Sequence, residues 1–256
     1  MARHAALSAA ATAAATAWEA ARAAHSREAL IEAVGEGADG TPTSRLDDLV
    51  ETAIVRAVEP FGLNLLSEEL GWRDEGASET LVIDPVDGTG NAAAGIPFSA
   101  FTGAIATEDR FVEGLTVWLD TGREWWAHVD EASTLATTGR RSLDGAVVSM
   151  IRPKHDPSAF LRVTERADRI RVLGSSSIEA ALVADGVLDA AFDPGSSTHR
   201  IVDLAAAAVL VSAAGGCMVD ATGAPIAFTT DITGRWSGIT AATPELAAEI
   251  VEIIGA

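Results

Sequence analysis

Residues 81–91, Leu-Val-Ile-Asp-Pro-Val-Asp-Gly-Thr-Gly-Asn, constrain this chain more than any other stretch. Leu81, Val82 and Ile83 make an apolar run of the length of a short buried strand. Two carboxylates, Asp84 and Asp87, close it, held apart by Pro85 and followed by Gly88 and Thr89. Proline fixes its own φ and restricts the residue before it, so the backbone leaves the strand at a set angle. Two acids crowded at a strand end repel each other unless a cation lies between them. Hard divalent ions such as Mg²⁺ suit an oxygen-rich site of this kind. Taken alone, these residues are equally compatible with an Asp/Gly turn after a core strand.

Two further acidic groups bear on that choice. Upstream, Leu66-Ser-Glu-Glu-Leu-Gly71 again sets acids after an apolar segment, Phe61 to Leu66. Downstream, Asp203 opens an Ala/Val/Leu run that ends in Gly215-Gly216, a helix start and stop. An acid in the first turn of a helix is favoured by the macrodipole whatever else it does. Glu68 and Glu69, on their own, read as an exposed loop pair.

The three clusters, in this order, resemble the inositol monophosphatase family of metal-dependent sugar phosphatases. That family's signature is Asp-Pro-Ile/Leu-Asp-Gly-Thr-x-Asn, after a Glu-Glu pair and before a Trp-Asp-x-Ala-Ala segment ending in Gly-Gly. Gly174-Ser-Ser-Ser-Ile-Glu-Ala-Ala-Leu-Val-Ala-Asp-Gly186 is similar to a fourth family segment. The similarity runs from about Asp47 to Gly216. It implies an α/β/α/β/α sandwich, two or three Mg²⁺ ions, and a homodimer.

Residue by residue, the resemblance implies that Asp84 bridges two metal ions, with Asp87 and Asp203 completing the second. Glu68 and the Val86 carbonyl would hold the first, and Glu69 would support from behind. Thr89 would orient the attacking water, paired with Asp47, because Asp47 and Glu51 reproduce the family's acid spacing on the second helix. The alternative reading of Asp47 is a solvated helical acid. Backbone amides of Gly88 and Thr89 would hold the phosphate. Ser175, Ser176 and Asp193 match positions facing the polyol, although Gly195 to Thr198 interrupt the match at Asp193. Arg171 and Arg200 are candidates for a second phosphate, since guanidinium pairs bidentately with it. Val202 stands where the family has Trp, Ala92 where it has Phe, and the usual lysine before the second helix is missing. These departures spare the metal ligands and put substrate identity in doubt.

Composition narrows the partners. The formal charge of −19 argues against nucleic acid or an anionic membrane surface, both of which need basic patches. Lys154 is the one lysine among 18 basic residues, a pattern that suggests a salt-adapted or GC-rich source. A single cysteine, Cys217, excludes an intrachain disulfide and a Cys-based zinc site. The alanine-rich start is read as a helix over 5–34 rather than a signal peptide, because Trp18, Glu19, Arg22 and Arg27 continue the pattern. A cytoplasmic protein is expected.

Gly35 to Thr43 reads as a loop, and Leu46 to Val58 as a second helix. Strands are expected at 98–106, 111–119 and 123–129, with Asp120-Thr-Gly122 turning the last pair. Small and polar residues over 130–145 suggest two units, 1–135 and 136–256. The second unit alternates strand and helix, as layered sheets require. The function expected is hydrolysis of a small polyol or sugar phosphate, first inositol 1-phosphate, then fructose 1,6-bisphosphate. A 3′-phosphoadenosine phosphatase fits less well, and a non-catalytic metal-binding relative is the alternative of another class.

Overall fold

The structure is a computed structural model and describes residues 3–255. In chain order its elements are α1 (Ala5–Ala24), α2 (Arg27–Leu30), β1 (Ala33–Glu36), β2 (Pro42–Ser44), α3 (Arg45–Val58), β3 (Asn64–Ser67), β4 (Gly71–Arg73) and β5 (Glu79–Asp87). There follow α4 (Thr89–Ala94), β6 (Ala100–Thr107), β7 (Arg110–Trp118), β8 (Arg123–His128), β9 (Val147–Met150), α5 (Ser158–Thr164) and β10 (Arg169–Arg171). The chain closes with α6 (Ser176–Ala184), β11 (Ala190–Phe192), α7 (Ile201–Ala213), β12 (Cys217–Asp220), β13 (Gly238–Ala241) and α8 (Pro244–Gly255).

Two sheets dominate. The first runs β4-β3-β5-β6-β7-β8 and the second β10-β9-β11-β13-β12, with β1-β2 as a separate hairpin. Strand alternation sorts the apolar residues into layers. Leu81 and Ile83 share one face of the first sheet with Leu65, Phe101 and Leu115, where α1 and α3 pack. Val82, Leu66 and Ala104 share the opposite face, against α6 and α7. Ala191 and Met218 bring the second sheet against those same helices. Val148, Phe192 and Ile239 pack with α8 and with Val163 of α5 on the far side. The order is therefore α/β/α/β/α, as expected.

Helix α7 lies between the sheets, which is why it is apolar all round rather than amphipathic. Its small residues let it approach closely. A Cβ on Gly114 of β7 would sit 2.7 Å from the Ala206 carbonyl oxygen. That contact sets Asp203, in the first turn of α7, against the ends of the β5 segment.

The N-terminal expectation needs correction. The helix over 5–34 is broken at His25, whose backbone is extended (φ −125°, ψ 150°). Ser26 caps the short α2, its side chain accepting the Ala29 N–H. Residues 33–44, read as helix end and loop, form the β1–β2 hairpin instead. Local alanine propensity is worth tenths of a kcal/mol per residue, and the cap and hairpin pairing outweigh it. Strand β4 is only three residues long and carries no alternation signal. Among the described residues no helix is long and apolar enough to cross a membrane.

Candidate active site

Carboxylates from three separate segments reach one cavity of about 320 Å³. Glu68 comes from the β3–β4 turn, Asp84 and Asp87 from the end of β5, and Asp203 from α7. Asp47, Glu69, Val86, Gly88 and Thr89 line it as well.

The β5 end is built by a slipped register. The strand pairs with β6 as far as Asp84↔Thr102, then shifts so that Asp87 faces Ala100. Pro85 lies within the slip, where a residue with no N–H disturbs no regular ladder. Asp84 is 2% exposed, and its Oδ1 accepts the Val86 N–H at 2.9 Å. Gly88 has φ +91°, and a Cβ there would lie 2.8 Å from the Phe98 carbonyl oxygen. The Asn91 amide donates to the carbonyls of Phe98 (2.9 Å) and Leu173 (2.8 Å), tying the turn to the chain entering α6.

Asp87 is oriented from that same segment. Its Oδ2 accepts from Ser175 Oγ at 2.8 Å, from the Ser177 N–H at 2.7 Å and from Ser177 Oγ. Ser175 thus acts on Asp87, while Ser176 lines an adjoining cavity. Asp193, expected to face the polyol, lines neither cavity. It is wholly buried, and its two oxygens accept from the Ser196 N–H, the Thr198 N–H and Thr198 Oγ1. A carboxylate so occupied shapes the 195–198 turn.

On the other side, Ser44 caps α3 by accepting the Asp47 N–H at 3.2 Å, and donates to Asp47 Oδ2 at 2.7 Å. Thr89 Oγ1 lies 3.1 Å from Asp47 Oδ1 and 2.9 Å from the Val86 carbonyl. The expected Thr89–Asp47 pair is therefore in contact. Glu51, one turn further along α3, accepts the N–H groups of Glu69 (3.2 Å) and Leu70 (3.1 Å) and the Ser67 hydroxyl. It holds the turn that carries Glu68. Glu69 accepts from Thr43 Oγ1 of β2.

Arg200, at the N-cap of α7, stands among the acids. Its Nη1 is 2.8 Å from Glu68 Oε1, and its Nε donates to Asp39 Oδ2 at 2.6 Å. Arg235 reaches the same Asp39 oxygen at 3.0 Å. The Arg200 N–H donates to Asp203 Oδ2 at 2.7 Å, so the third residue of α7 reaches back to cap the helix start. Neither Asp39 nor Arg235 stood out in the sequence, because each gains its role only from a distant partner. Ser177, 90 residues from Asp87, was hidden for the same reason.

The electrostatics follow from crowding. Burial lifts Glu68 to about 8; Arg200 draws it down, while Asp203, Asp47 and Glu69 push it up. Asp84 is raised well above the usual carboxylate range by burial, then by Glu68, Asp87 and Asp203. Asp87 is raised by burial and by Asp203, against the pull of its serine partners. Burial lifts Glu69 to about 7, and lifts Asp47 against the hydrogen bonds of Ser44 and Thr89. Burial works against the charge on Arg200, but Glu68, Asp203, Asp39 and Asp84 outweigh it and hold the guanidinium charged beyond its ordinary range.

Among the described residues, no group of three or more His, Cys, Asp or Glu side chains is already spaced to hold a metal ion. The donor chemistry nevertheless fits a hard divalent cation. Glu68, Asp84, Asp87, Asp203 and the Val86 carbonyl offer only oxygen, and their mutual repulsion is relieved by positive charge. Arg200 supplies part of that charge, and Glu68 would exchange it for an ion.

The model of the inositol monophosphatase family matches residues 3–255. A fructose-1,6-bisphosphatase/inositol-1-monophosphatase from Thermococcus kodakarensis is 31% identical over 230 residues, 86% of each chain. A bifunctional NADP phosphatase/NAD kinase from Methanococcus maripaludis is 30% identical over 81% of this chain, which spans 42% of that longer protein. The crystal structure of an inositol monophosphatase–fructose 1,6 bisphosphatase superposes with a TM-score of 0.85 at 25% identity, covering 99% of this chain and 100% of the other. Family members generally use a divalent metal. The chain belongs to the inositol monophosphatase family.

Proposed function

We propose that this phosphoric monoester hydrolase uses Mg²⁺ to cleave a small polyol or sugar phosphate, with inositol 1-phosphate and fructose 1,6-bisphosphate as the leading substrates. The observation that carries it is the convergence of Glu68, Asp84, Asp87 and Asp203 on one cavity beside the Thr89–Asp47 pair. Two or three Mg²⁺ ions, held by those four carboxylates and the Val86 carbonyl, would supply charge for the phosphate oxygens and acidify a water. A cytoplasmic homodimer belongs to the same proposal, with family likeness as its support.

The chain's own groups provide the rest. Thr89 Oγ1 has one proton and two acceptors, Asp47 Oδ1 and the Val86 carbonyl. Its lone pairs are free to accept from the attacking water. As the water loses a proton to Thr89 Oγ1, the hydroxyl passes its own to Asp47. Burial raises the basicity of Asp47 for this task. The water oxygen bonds to phosphorus, the ester P–O bond breaks, and the leaving alkoxide takes a proton from solvent. Backbone amides of Gly88 and Thr89, which line the cavity, would hold the phosphate. Ser175, Ser177 and Glu51 keep the acids aimed.

The test is phosphate release from both substrates with Mg²⁺, at low and high salt, with Asp87→Asn as control. Release that depends on Mg²⁺ and disappears in the variant is expected. No release from either substrate, with Mg²⁺ still bound, would favour a non-catalytic metal-binding relative.

A further inference from the structure

A second cavity, of about 710 Å³, adjoins the acid cluster and shares Asp87 and Asp203 with it. It is more than twice the volume of the first, and lies within the range of small-molecule sites. Ser175, Ser176 and His199 line its wall, and Arg152 and Lys154 line it from the segment after β9. His199 Nδ1 accepts the Gly238 N–H at 3.1 Å, which leaves Nε2–H as the donor of a neutral ring.

We propose that Arg152 and Lys154 recognise a second phosphate on the substrate, so that this cavity selects bis-anionic phosphate esters over neutral polyol monophosphates. The assignment rests on the phosphatase reading above and narrows its substrate class.

Three observations carry it. First, in a chain of net charge −19 most arginines are spent on carboxylates, Arg140 on Asp189 and Arg123 on Asp185 among them. The side chains of Arg152 and Lys154 have no hydrogen bond or ion pair among the described residues, and Lys154 is the only lysine. Second, the charge in the cavity is polar in arrangement, with Asp87 and Asp203 where it meets the first cavity, the buried Glu179 tied to the Gly174 N–H at the start of α6, and two cations on the 152–154 segment. Such a field orients a ligand with one phosphate toward the acid cluster and its cations, and the other toward Arg152 and Lys154. Guanidinium and ammonium are both strong phosphate partners. Inositol 1-phosphate would leave this pair unanswered. Third, the cationic segment is held from behind. Buried Asp193 holds the N–H groups of Ser196 and Thr198, and Ser196 Oγ accepts the Lys154 N–H at 3.4 Å. Asp193, which does not touch the cavity, is thus a positioning residue for the cationic segment.

The second phosphate has two possible sources among the relatives' substrates, a sugar bisphosphate or a dinucleotide such as NADP. The experiment measures kcat and KM with Mg²⁺ for fructose 1,6-bisphosphate, NADP and inositol 1-phosphate, in the wild type and in an Arg152→Gln/Lys154→Gln double variant. Both side chains are exposed, so the variant folds. The ratio of kcat/KM for the bis-anionic substrate over inositol 1-phosphate should fall about 10–100-fold, mainly through KM. A fall confined to fructose 1,6-bisphosphate assigns the sugar bisphosphate, and one confined to NADP assigns the dinucleotide. An unchanged ratio overturns the assignment. Calorimetric binding of fructose 1,6-bisphosphate and NADP in Mg²⁺ separates the two layers. Weaker binding of either to the double variant, with no turnover by the wild type, would sink the phosphatase reading and keep the anion site. Equal binding of both would remove the anion site whatever the turnover.

Discussion

The same residue type meets opposite fates in two regions of this molecule. At the surface, Asp156 accepts the Ser158 N–H (2.9 Å) and hydroxyl (2.6 Å), and Asp231 accepts the same pair from Thr233 at the same distances. These bonds hold both carboxyls below the usual range. In the cavity, Glu68, Asp84 and Asp87 are pushed the other way by burial and by carboxylate neighbours. Asp39 joins the two cases. It makes the surface turn, accepting from Thr41 N and Oγ1, but is buried where Arg200 and Arg235 reach it. Burial works against its charge, yet the Thr41 bonds and Arg200 leave its carboxyl lowered. Asp84 accepts the Val86 N–H in the same kind of turn and is raised all the same, so burial beside other acids, and not the turn bond, separates the two groups.

The contrast breaks most sharply at Asp87. Asp87→Asn should cut Mg²⁺-dependent phosphate release by about a thousandfold or more. Asp231→Asn should leave it within about twofold, and paired rate measurements decide. Equal losses would erase the distinction.

Acidity offers the next test. Glu68 and Asp84 bind protons more tightly folded than unfolded. Stability of the metal-free protein should therefore be greatest at low pH on their account, and fall as pH rises from about 5 to about 8. The lowered Asp156 and Asp231 act in the opposite sense, their contribution being lost only below about pH 4. Thermal melts across this range, with and without Mg²⁺, should show the decline only without metal.

Arg200→Gln removes the cation beside Glu68. The metal-free protein should melt lower, and Mg²⁺ should bind about tenfold more tightly, read by calorimetry. Weaker binding would make Arg200 a support of the metal site rather than its stand-in. The smallest effect is structural. Asn91→Ala orphans two carbonyls across the turn and should cost about 1–3 kcal/mol by denaturant unfolding.

Legibility followed sequence distance. The β5 segment and the first turn of α7 could be read because strand, proline slip and helix start are local events at Leu81–Thr89 and Asp203. Alternation of helix and strand in the second half pointed to sheets layered with helices, and the family resemblance supplied the five-layer order. Asp39 and Ser177 were missed because their partners are far along the chain, as with Asp39 and Arg200, 161 residues apart. The helix over 5–34 failed where a single capping serine, Ser26, restarted the backbone and pairing with β2 claimed residues 33–36. Asp193 matched a pattern, but the interrupting turn at 195–198 consumed its carboxylate.

The most direct test of the central claim, that these mutually repelling carboxylates form a divalent-metal site, is calorimetric titration of Mg²⁺ into the metal-free protein. It should be run at about pH 6 and about pH 8, in buffers of different ionisation enthalpy. Tighter binding at the higher pH, with protons released at the lower, is the predicted result. Absence of binding, or binding indifferent to pH and without proton release, would contradict it.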